Sequence, residues 1–190
     1  MKIALILFLV PIIIGCANIQ QKKIETPLNF SKYNEDLKGT KIKNFILAGK
    51  ISLFIKNKGF SGRIKWVSKD GHDNIEIYDP FNSLIAKISL VESQRKISFL
   101  SSSSSQSNET KDVMKSIFGN SDNVFTLKKF LVFPPAELSN DRKVSIDFRG
   151  WIIKFNGIHN NTVQKIPKTV EYNKGNISLK IFINDLNIMI

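Results

Sequence analysis

The sequence predicts a mainly β protein: an incomplete, open antiparallel β-barrel of about nine to eleven strands with a short α-helical lid. After residue 44, apolar residues alternate with polar ones at a period of two through most of the chain, which is typical of strands that bury one face. The links between these segments are short, whereas parallel neighbours need connections of about a dozen residues or more. The inner side of a curled sheet needs a cover, and the non-alternating middle of the chain is predicted to supply it.

The N-terminal half of the predicted sheet is a meander of five strands. Its turns are expected at Asn57-Lys58-Gly59, at Asp70-Gly71 and after Asp79-Pro80, because these residue types favour chain reversals. The residues expected to face inward are, strand by strand, Phe45, Leu47, Gly49, Ile51, Leu53 and Ile55; Phe60, Gly62, Ile64 and Trp66; Ile75 and Ile77; Leu84, Ala86, Ile88 and Leu90; and Ile97 and Phe99.

Three short helices are predicted. One covers residues 31–39, before the first strand, and the other two follow the serine run 101–105, which we interpret as a flexible connector. The second helix stops at Gly119, and the third is capped by Ser121 and ends before Pro134-Pro135. Their apolar faces are formed by Phe30, Tyr33 and Leu37; by Val113, Met114, Ile117 and Phe118; and by Val124, Leu127, Phe130 and Leu131.

The last third of the chain returns to strand periodicity. Reversals are expected at Gly150, Asn156-Gly157 and Asn173-Lys174-Gly175. The alternating apolar residues are Val144, Ile146 and Phe148; Trp151, Ile153 and Phe155; Val170 and Tyr172; and Ile177, Leu179, Ile181 and Ile183.

Composition and motifs argue against several function classes. The net charge is +12, but the lysines are scattered and no basic-aromatic motif of a nucleic-acid-binding protein is present, so we expect a solvated basic surface and no nucleic-acid partner. His72 and His159 have no partner at metal-ligand spacing and are expected to be solvated. Because the sequence lacks a nucleophile elbow, a recognisable carboxylate pair and a phosphate-binding loop, we expect no catalytic residues, metal or cofactor.

The only cysteine, Cys16, ends a segment that has the parts of a secretory leader. A basic residue precedes an apolar run over 3–14, and this run is shorter than the roughly 20 residues of a spanning helix and is interrupted by Pro11. The stretch Ile13-Ile14-Gly15-Cys16 resembles the lipobox, in which the thiol is diacylated and the leader is removed before it. An uncleaved anchor, or a plain secretory leader with a coincidental cysteine, is the alternative.

This motif sets the expected organisation of the chain. Residues 1–15 are the lipoprotein signal peptide, residues 16–29 the lipidated N-terminus and tether, and residues 30–190 a single domain. Residue 17 is Ala and not the Asp that retains many such lipoproteins at the inner membrane. We therefore expect a lipid-anchored protein of the outer membrane that faces the periplasm.

Several segments of the mature part match a known family in order and spacing: Gly49-Lys50-Ile51, Phe60-Ser61-Gly62-Arg63-Ile64-Lys65-Trp66, Ile77-Tyr78-Asp79-Pro80-Phe81-Asn82, Leu127-Lys128-Lys129-Phe130-Leu131, Gly150-Trp151-Ile152-Ile153-Lys154-Phe155, Ile166-Pro167 and Leu179-Lys180-Ile181-Phe182-Ile183. With the lipobox, they resemble the LolB family of outer-membrane lipoprotein receptors. The chain departs from the family pattern where Asn82 replaces a loop glycine, where Phe130 and Leu186 replace tryptophans, and where Val132-Phe133-Pro134 lacks the usual Gly before Pro.

The resemblance implies a receptor that accepts lipoproteins from the periplasmic carrier LolA, holds their acyl chains in an apolar cavity and inserts them into the outer membrane. We expect a monomer that is not an enzyme. In the family an apolar residue at a loop tip protrudes and is needed for membrane transfer; its counterpart here is Phe81, flanked by Pro80 and Asn82. The alternative is that Phe81 folds back against the sheet. The candidate cavity residues are Leu53, Ile64, Trp66, Ile88, Phe148 and Ile181.

Two rival functions remain open from the sequence. One is an envelope scaffold or assembly lipoprotein whose β-domain is solidly packed and has no lipid cavity. The other is a lipoprotein enzyme that acts on envelope polymers, for which catalytic residues are missing. Sequence patterns do not separate a packed core from a cavity that holds an apolar ligand.

Overall fold

The computed structural model describes residues 24–28, 33, 44–56, 58–101, 108–159 and 165–189. The strands are β1 (Ile24–Leu28), β2 (Asn44–Ile55), β3 (Lys58–Lys69), β4 (His72–Tyr78), β5 (Leu84–Val91), β6 (Lys96–Ser101), β7 (Arg142–Phe148), β8 (Trp151–Ile158), β9 (Pro167–Lys174) and β10 (Ile177–Met189). The helices are α1 (Asn108–Phe118) and α2 (Ser121–Val132), and Glu92–Gln94 forms a 3₁₀ turn.

The ten strands form one open sheet. Their order is β1-β7-β8-β9-β10-β2-β3-β4-β5-β6, so β1 and β6 are the edges and the sheet does not close into a barrel. All neighbours are antiparallel except β1 and β7, which are parallel. The predicted fold class, an incomplete, open antiparallel barrel of about nine to eleven strands with a short helical lid, is confirmed, and the parallel β1–β7 pair is its one departure.

The last strand joins the two halves of the sheet. β10 pairs with β9 on one side and, along nearly its whole length, with β2 on the other. The register of the second pairing shifts between Ile183 and Asp185, opposite Gly49. A Cβ atom on Gly49 would lie 2.2 Å from the carbonyl oxygen of Phe182, so glycine allows the two backbones to approach here.

The hydrophobic core lies on one side of the sheet, which we call the covered face. Along β3, for example, Ile64 and Trp66 are buried while Arg63 and Lys65 are exposed. Helix α1 packs across β2, β3, β5 and β6, and α2 packs against α1 and β9. The helical residues buried there are Met114, Ile117 and Phe118 of α1, and Val124, Leu127, Lys128, Phe130, Leu131 and Val132 of α2. The opposite side of the sheet is the outer face.

Residues 24–28, which were predicted to belong to the tether, form β1 instead. Pairing of this strand with β7 depends on its backbone and needs no alternation in its own sequence. Pro27 lacks a backbone N–H, and an edge strand tolerates this.

The predicted leader 1–15, Cys16 and the helix predicted over 31–39, apart from Tyr33, lie outside the described residues. Every described strand and helix lies after Cys16, so a chain that starts at Ala17 contains all of them.

Two details of the predicted strands were wrong. The reversal at Asn156-Gly157 does not occur, because β8 continues to Ile158 and Gly157 takes a φ of +65° within the strand. In β5, Leu84 is exposed and Ile85 is buried, since the register between β4 and β5 shifts next to Tyr78. The predicted inward alternation therefore holds only from Ala86 onward.

The two central helices are present where they were predicted, and neither is long and apolar enough to span a bilayer. The N-cap of α2 is Asn120, not Ser121 as predicted. The Asn120 side-chain oxygen accepts hydrogen bonds from the backbone N–H groups of Asp122, at 2.8 Å, and Asn123, at 3.3 Å. The Asn120 side chain thus accepts from two of the backbone N–H groups that have no acceptor within the first turn of a helix.

Asn120→Ala is expected to lower the free energy of unfolding by about 1 kcal/mol, because these two donors lose their acceptor. Ser121→Ala is the matched control and is expected to change it by less than about 0.5 kcal/mol. Urea unfolding of the chain from Ala17 measures both. A larger loss for Ser121→Ala than for Asn120→Ala would contradict the assignment of the cap.

Candidate functional site

The six candidate cavity residues lie on or beside the covered face. Five of them, Leu53, Ile64, Trp66, Ile88 and Ile181, are at most 2% exposed, and Phe148 is half-buried against the same core. Each of these five faces an apolar residue on a neighbouring strand: Leu53 lies opposite Leu179, Ile64 opposite Ile77, Trp66 and Ile88 both opposite Ile75, and Ile181 opposite Ile51. The alternation of the sequence therefore brought a continuous apolar surface together.

The two helices close over this apolar surface. Phe130 of α2 stacks on Tyr33 at 5.5 Å between ring centroids, meets Phe148 edge-on at 5.5 Å and lies 6.3 Å from Phe155. Aromatic pairs at these separations contribute about 0.5–1.5 kcal/mol each beyond their burial. Helix α1 contacts β2, β3 and β5, the strands that carry four of the six candidate residues.

A buried ion pair attaches α2 to the sheet. The ammonium Nζ of Lys128 lies 3.1 Å from Oδ2 of Asp73 on β4, and the two side chains are 1% and 0% exposed. The indole Nε1 of Trp66 donates to Oδ1 of the same carboxylate at 2.9 Å. Glu92, at the edge of the cluster, has its Oε2 3.7 Å from Lys128 Nζ. Both carboxylate oxygens of Asp73 are thus engaged.

Such a pair is tolerated only because it is fully partnered. Removing two ions from water costs several kcal/mol each, and this cost is offset only when the geometry is good and the remaining lone pairs are satisfied. Lys128 Nζ also lies over the face of the Phe45 ring, 6.0 Å from the ring centroid, where the π-electrons attract a cation. The pair fixes the rotation of α2, because only this orientation of the helix places the Lys128 ammonium on the Asp73 carboxylate.

Sequence reasoning missed this cluster, since the acidic residues were searched only for a carboxylate pair. The signal was present in the alternation: Asp73 lies two residues before Ile75 and shares its inward face. Lys128 likewise lies four residues after Val124 and three before Leu131, on the apolar side of α2. Asp73 and Lys128 each occupy a position that the periodicity assigns to the core, and this was the available indication that they form an ion pair.

Two tyrosines hold α2 by its backbone. The hydroxyl of Tyr172 on β9 donates to the carbonyl oxygen of Leu127 at 3.0 Å, and that of Tyr33 donates to the carbonyl oxygen of Phe133. Burial raises the pKa of Tyr172 well above its usual range and raises that of Tyr33 as well. Both hydroxyls therefore stay protonated at neutral pH and keep donating.

The loop between β4 and β5 presents one apolar side chain to solvent. Phe81 is 90% exposed, the largest exposed fraction among the large apolar residues of the described chain. A tight turn fixes its position: the N–H of Asn82 donates to the carbonyl oxygen of Asp79 at 3.1 Å, and the N–H of Ser83 donates to the Asp79 carboxylate at 2.8 Å. Pro80 presets the backbone at the second position of this turn. Phe81 therefore does not fold back against the sheet.

Asn82 has the conformation that the missing glycine would supply. Its φ is +71°, in the left-handed region, where Asn is among the best tolerated residues after Gly. The guanidinium of Arg63 on β3 donates to the Asn82 side-chain oxygen and fixes the loop to the sheet. The departure from the family pattern at this position is therefore compatible with the turn.

The histidines do not form a site. His72 is exposed, as expected, but His159 is half-buried, with its Nε2 2.8 Å from the carbonyl oxygen of Ile183, which corrects the prediction that it is solvated. In the ranges that the structure describes, no three His, Cys, Asp or Glu residues are grouped so that they could hold a metal ion.

Comparison with known proteins identifies the class. The family model described as "Outer membrane lipoprotein LolB" matches residues 43–185, which is well over half of the chain. One relative, the outer-membrane lipoprotein LolB of Azoarcus sp. (strain BH72), is 23% identical over 154 residues that cover 76% of this chain and 79% of the relative. The chain belongs to the LolB family of outer-membrane lipoproteins. The matched span contains both central helices, the Lys128–Asp73 pair and the Phe81 loop; Cys16 and β1 precede it.

Lys128→Met is expected to lower the free energy of unfolding by about 3–5 kcal/mol, because the Asp73 carboxylate is left buried and unpaired. Adding Asp73→Asn removes the charge but keeps an acceptor for the Trp66 indole, so the double variant is expected to recover most of the loss. Urea unfolding of the chain from Ala17, followed by tryptophan fluorescence, measures both. A double variant no more stable than Lys128→Met would show that the unpaired charge is not the cause.

Proposed function

We propose that this protein is an outer-membrane receptor that accepts lipoproteins from the periplasmic carrier LolA, binds their acyl chains and inserts them into the membrane. Membership of the LolB family supports this function. The observation that carries it is the Phe81 loop, a rigid turn that projects a single apolar side chain into solvent. A side chain this exposed gains little from burial within the domain, and an aromatic ring held clear of the surface can enter a bilayer.

The acyl chains would bind between the helices and the covered face, at Leu53, Ile64, Trp66, Ile88, Phe148 and Ile181. Each buried methylene contributes about 0.8 kcal/mol in a protein cavity, and a bilayer offers a comparable gain. Handover can therefore proceed close to equilibrium, without nucleotide hydrolysis or a cofactor. Because the helices cover these residues, binding requires α1 and α2 to part from the sheet and the contacts of Lys128 and the two tyrosines to loosen or shift.

The anchor in this proposal is Cys16. After removal of the leader 1–15, acyl chains on its thiol and amino end would hold the domain at the outer membrane, facing the periplasm. Two or more acyl chains make such attachment stable, whereas a single chain binds only reversibly. The net charge of +12 agrees with a position beside anionic head groups, where each Lys or Arg contributes about 1 kcal/mol.

One observation favours the alternative function, an envelope scaffold or assembly lipoprotein without a lipid cavity. Five of the six candidate cavity residues are at most 2% exposed and belong to the hydrophobic core cluster. The two functions differ in whether the helices open, and binding of a lipidated ligand separates them.

The chain from Ala17 is expected to take up a fluorescent triacylated peptide saturably and with one-to-one stoichiometry, because the covered face becomes accessible when the helices part. Fluorescence titration measures this, with the same peptide lacking acyl chains as the control. Absence of saturable binding, with the fold intact by circular dichroism, would favour the scaffold.

Phe81→Glu in the lipid-anchored protein is expected to leave folding and uptake of the acylated peptide unchanged but to reduce incorporation of cargo into liposomes at least tenfold, since a carboxylate cannot enter the bilayer without a large cost. Leu100→Glu is the matched control. Leu100 is 66% exposed on the edge strand β6, opposite Lys87 and outside the loop, and its substitution is expected to leave incorporation unchanged. Normal incorporation by Phe81→Glu would remove the loop from the mechanism.

A further inference from the structure

A pocket of about 400 Å³ opens on the outer face, beside the Phe81 loop. Its wall is formed by Lys50, Ile51 and Ser52 of β2, Ser61, Gly62 and Arg63 of β3, Phe182 of β10 and Pro80, and the side chains of Lys50, Ser52, Ser61 and Arg63 belong to the outer face. We call it the outer pocket. Its volume lies within the range of about 300–1,000 Å³ that is typical of small-molecule sites. It lies on the side of the sheet opposite the proposed acyl-chain site, so it is a separate site.

The outer pocket holds two cations directly opposite one another. Lys50 pairs in register with Arg63 across β2 and β3, and Phe182 pairs with Lys50 from the other side. Like charges at directly opposite positions of a sheet destabilise the pairing. An anion bound between the two side chains would attract both cations and offset their mutual repulsion. Binding of an anion would therefore explain why two cations stand opposite one another here.

The surroundings leave the two cations free to accept an anion. Within the described residues, neither Lys50 nor Arg63 forms a salt bridge with a carboxylate. The nearest acid on the loop, Asp79, already accepts the N–H of Ser83. Arg63 donates one hydrogen bond to Asn82, and a guanidinium has further N–H groups that can bind an oxyanion.

The position of the outer pocket indicates where the anion comes from. Pro80 lines the pocket and is the residue immediately before Phe81, so an anion in the pocket would lie close to the depth at which Phe81 would enter a bilayer. Phe182 adds a partly exposed aromatic ring to the same wall. Cations next to apolar and aromatic groups are the combination that suits the interface between head groups and acyl chains.

We propose that the outer pocket binds the phosphate of an anionic phospholipid head group, with Lys50 and Arg63 as its ligands, and thereby sets the depth and orientation of the Phe81 loop at the membrane. This inference rests on the proposed function, because it assigns the lipid contact that accompanies cargo insertion. It adds a specific lipid site to a loop that otherwise acts by apolar insertion alone.

Titration of the chain from Ala17 with dihexanoyl phosphatidylglycerol, below its micelle concentration, tests the proposal. Lys50→Gln and Arg63→Gln are each expected to weaken binding at least about tenfold, which corresponds to loss of one charge-assisted hydrogen bond. Lys65→Gln is the matched control, since Lys65 lies two residues after Arg63 on the same exposed face of β3 but does not line the pocket. Its binding is expected to change by less than twofold.

Ser61→Phe provides a variant that fills the outer pocket without altering its charge, and it is also expected to abolish binding. Equal weakening by Lys50→Gln, Arg63→Gln and Lys65→Gln would show diffuse attraction and overturn the proposal. So would the absence of binding, equal binding of dihexanoyl phosphatidylcholine, or equally tight binding of inorganic phosphate, since the last would indicate a site for free anions. Circular dichroism melting of each variant shows that lost binding is not lost folding.

The proposed function fails separately from this inference. If the acylated peptide is not taken up, the receptor function fails whatever the outer pocket binds. If uptake and the Phe81→Glu effect are observed but phosphatidylglycerol binding is absent or insensitive to Lys50→Gln, only the lipid site is refuted.

Discussion

The pairing of β10 with β2 is the constraint on which the rest of the structure depends. It joins the end of the chain to the start of the first long strand and turns two antiparallel meanders into one sheet. Without it, neither half would present a continuous apolar face for the helices to cover. At the register shift in this pairing, the backbone of Gly49 approaches the carbonyl oxygen of Phe182 closely. The pairing therefore depends on a residue that has no side chain at this position.

Polar contacts attach α2 to the rest of the domain, and the central ones are buried. The Lys128–Asp73 pair fixes the helix to β4, the tyrosine hydroxyls bind its backbone from β9 and from Tyr33, and an exposed pair joins Asp122 to Arg95. Buried polar contacts of this kind specify one arrangement more than they stabilise it, because their desolvation offsets much of their attraction. In the proposed receptor, an arrangement specified in this way would let the helices close in one position and still separate from the apolar surface.

The outer face and the β4–β5 loop carry the exposed features of the proposed mechanism. The turn around Asp79 fixes Phe81, and Asn82 connects the turn to Arg63 on β3. The loop and the outer pocket are therefore parts of one rigid unit, whereas the acyl-chain site proposed on the other side depends on moving helices. In the proposed receptor, contact with the membrane and binding of cargo would use opposite sides of the same sheet.

The sequence by itself determined the fold class, the two central helices, most turns and the inward face of nearly every strand, because period-two and helical spacing follow directly from local backbone geometry. The resemblance to the LolB family indicated Phe81, beside the turn predicted after Asp79-Pro80. Tertiary structure alone decided the rest. β1 joins the edge of the sheet by backbone pairing with β7, which leaves no pattern in the side chains. Asn120, and not Ser121, caps α2. Asp73 forms its ion pair with Lys128, which lies 55 residues further along the chain. The opposition of Lys50 and Arg63 likewise required the register of two strands, because sequence spacing gives the face of a residue but not its neighbour across the sheet.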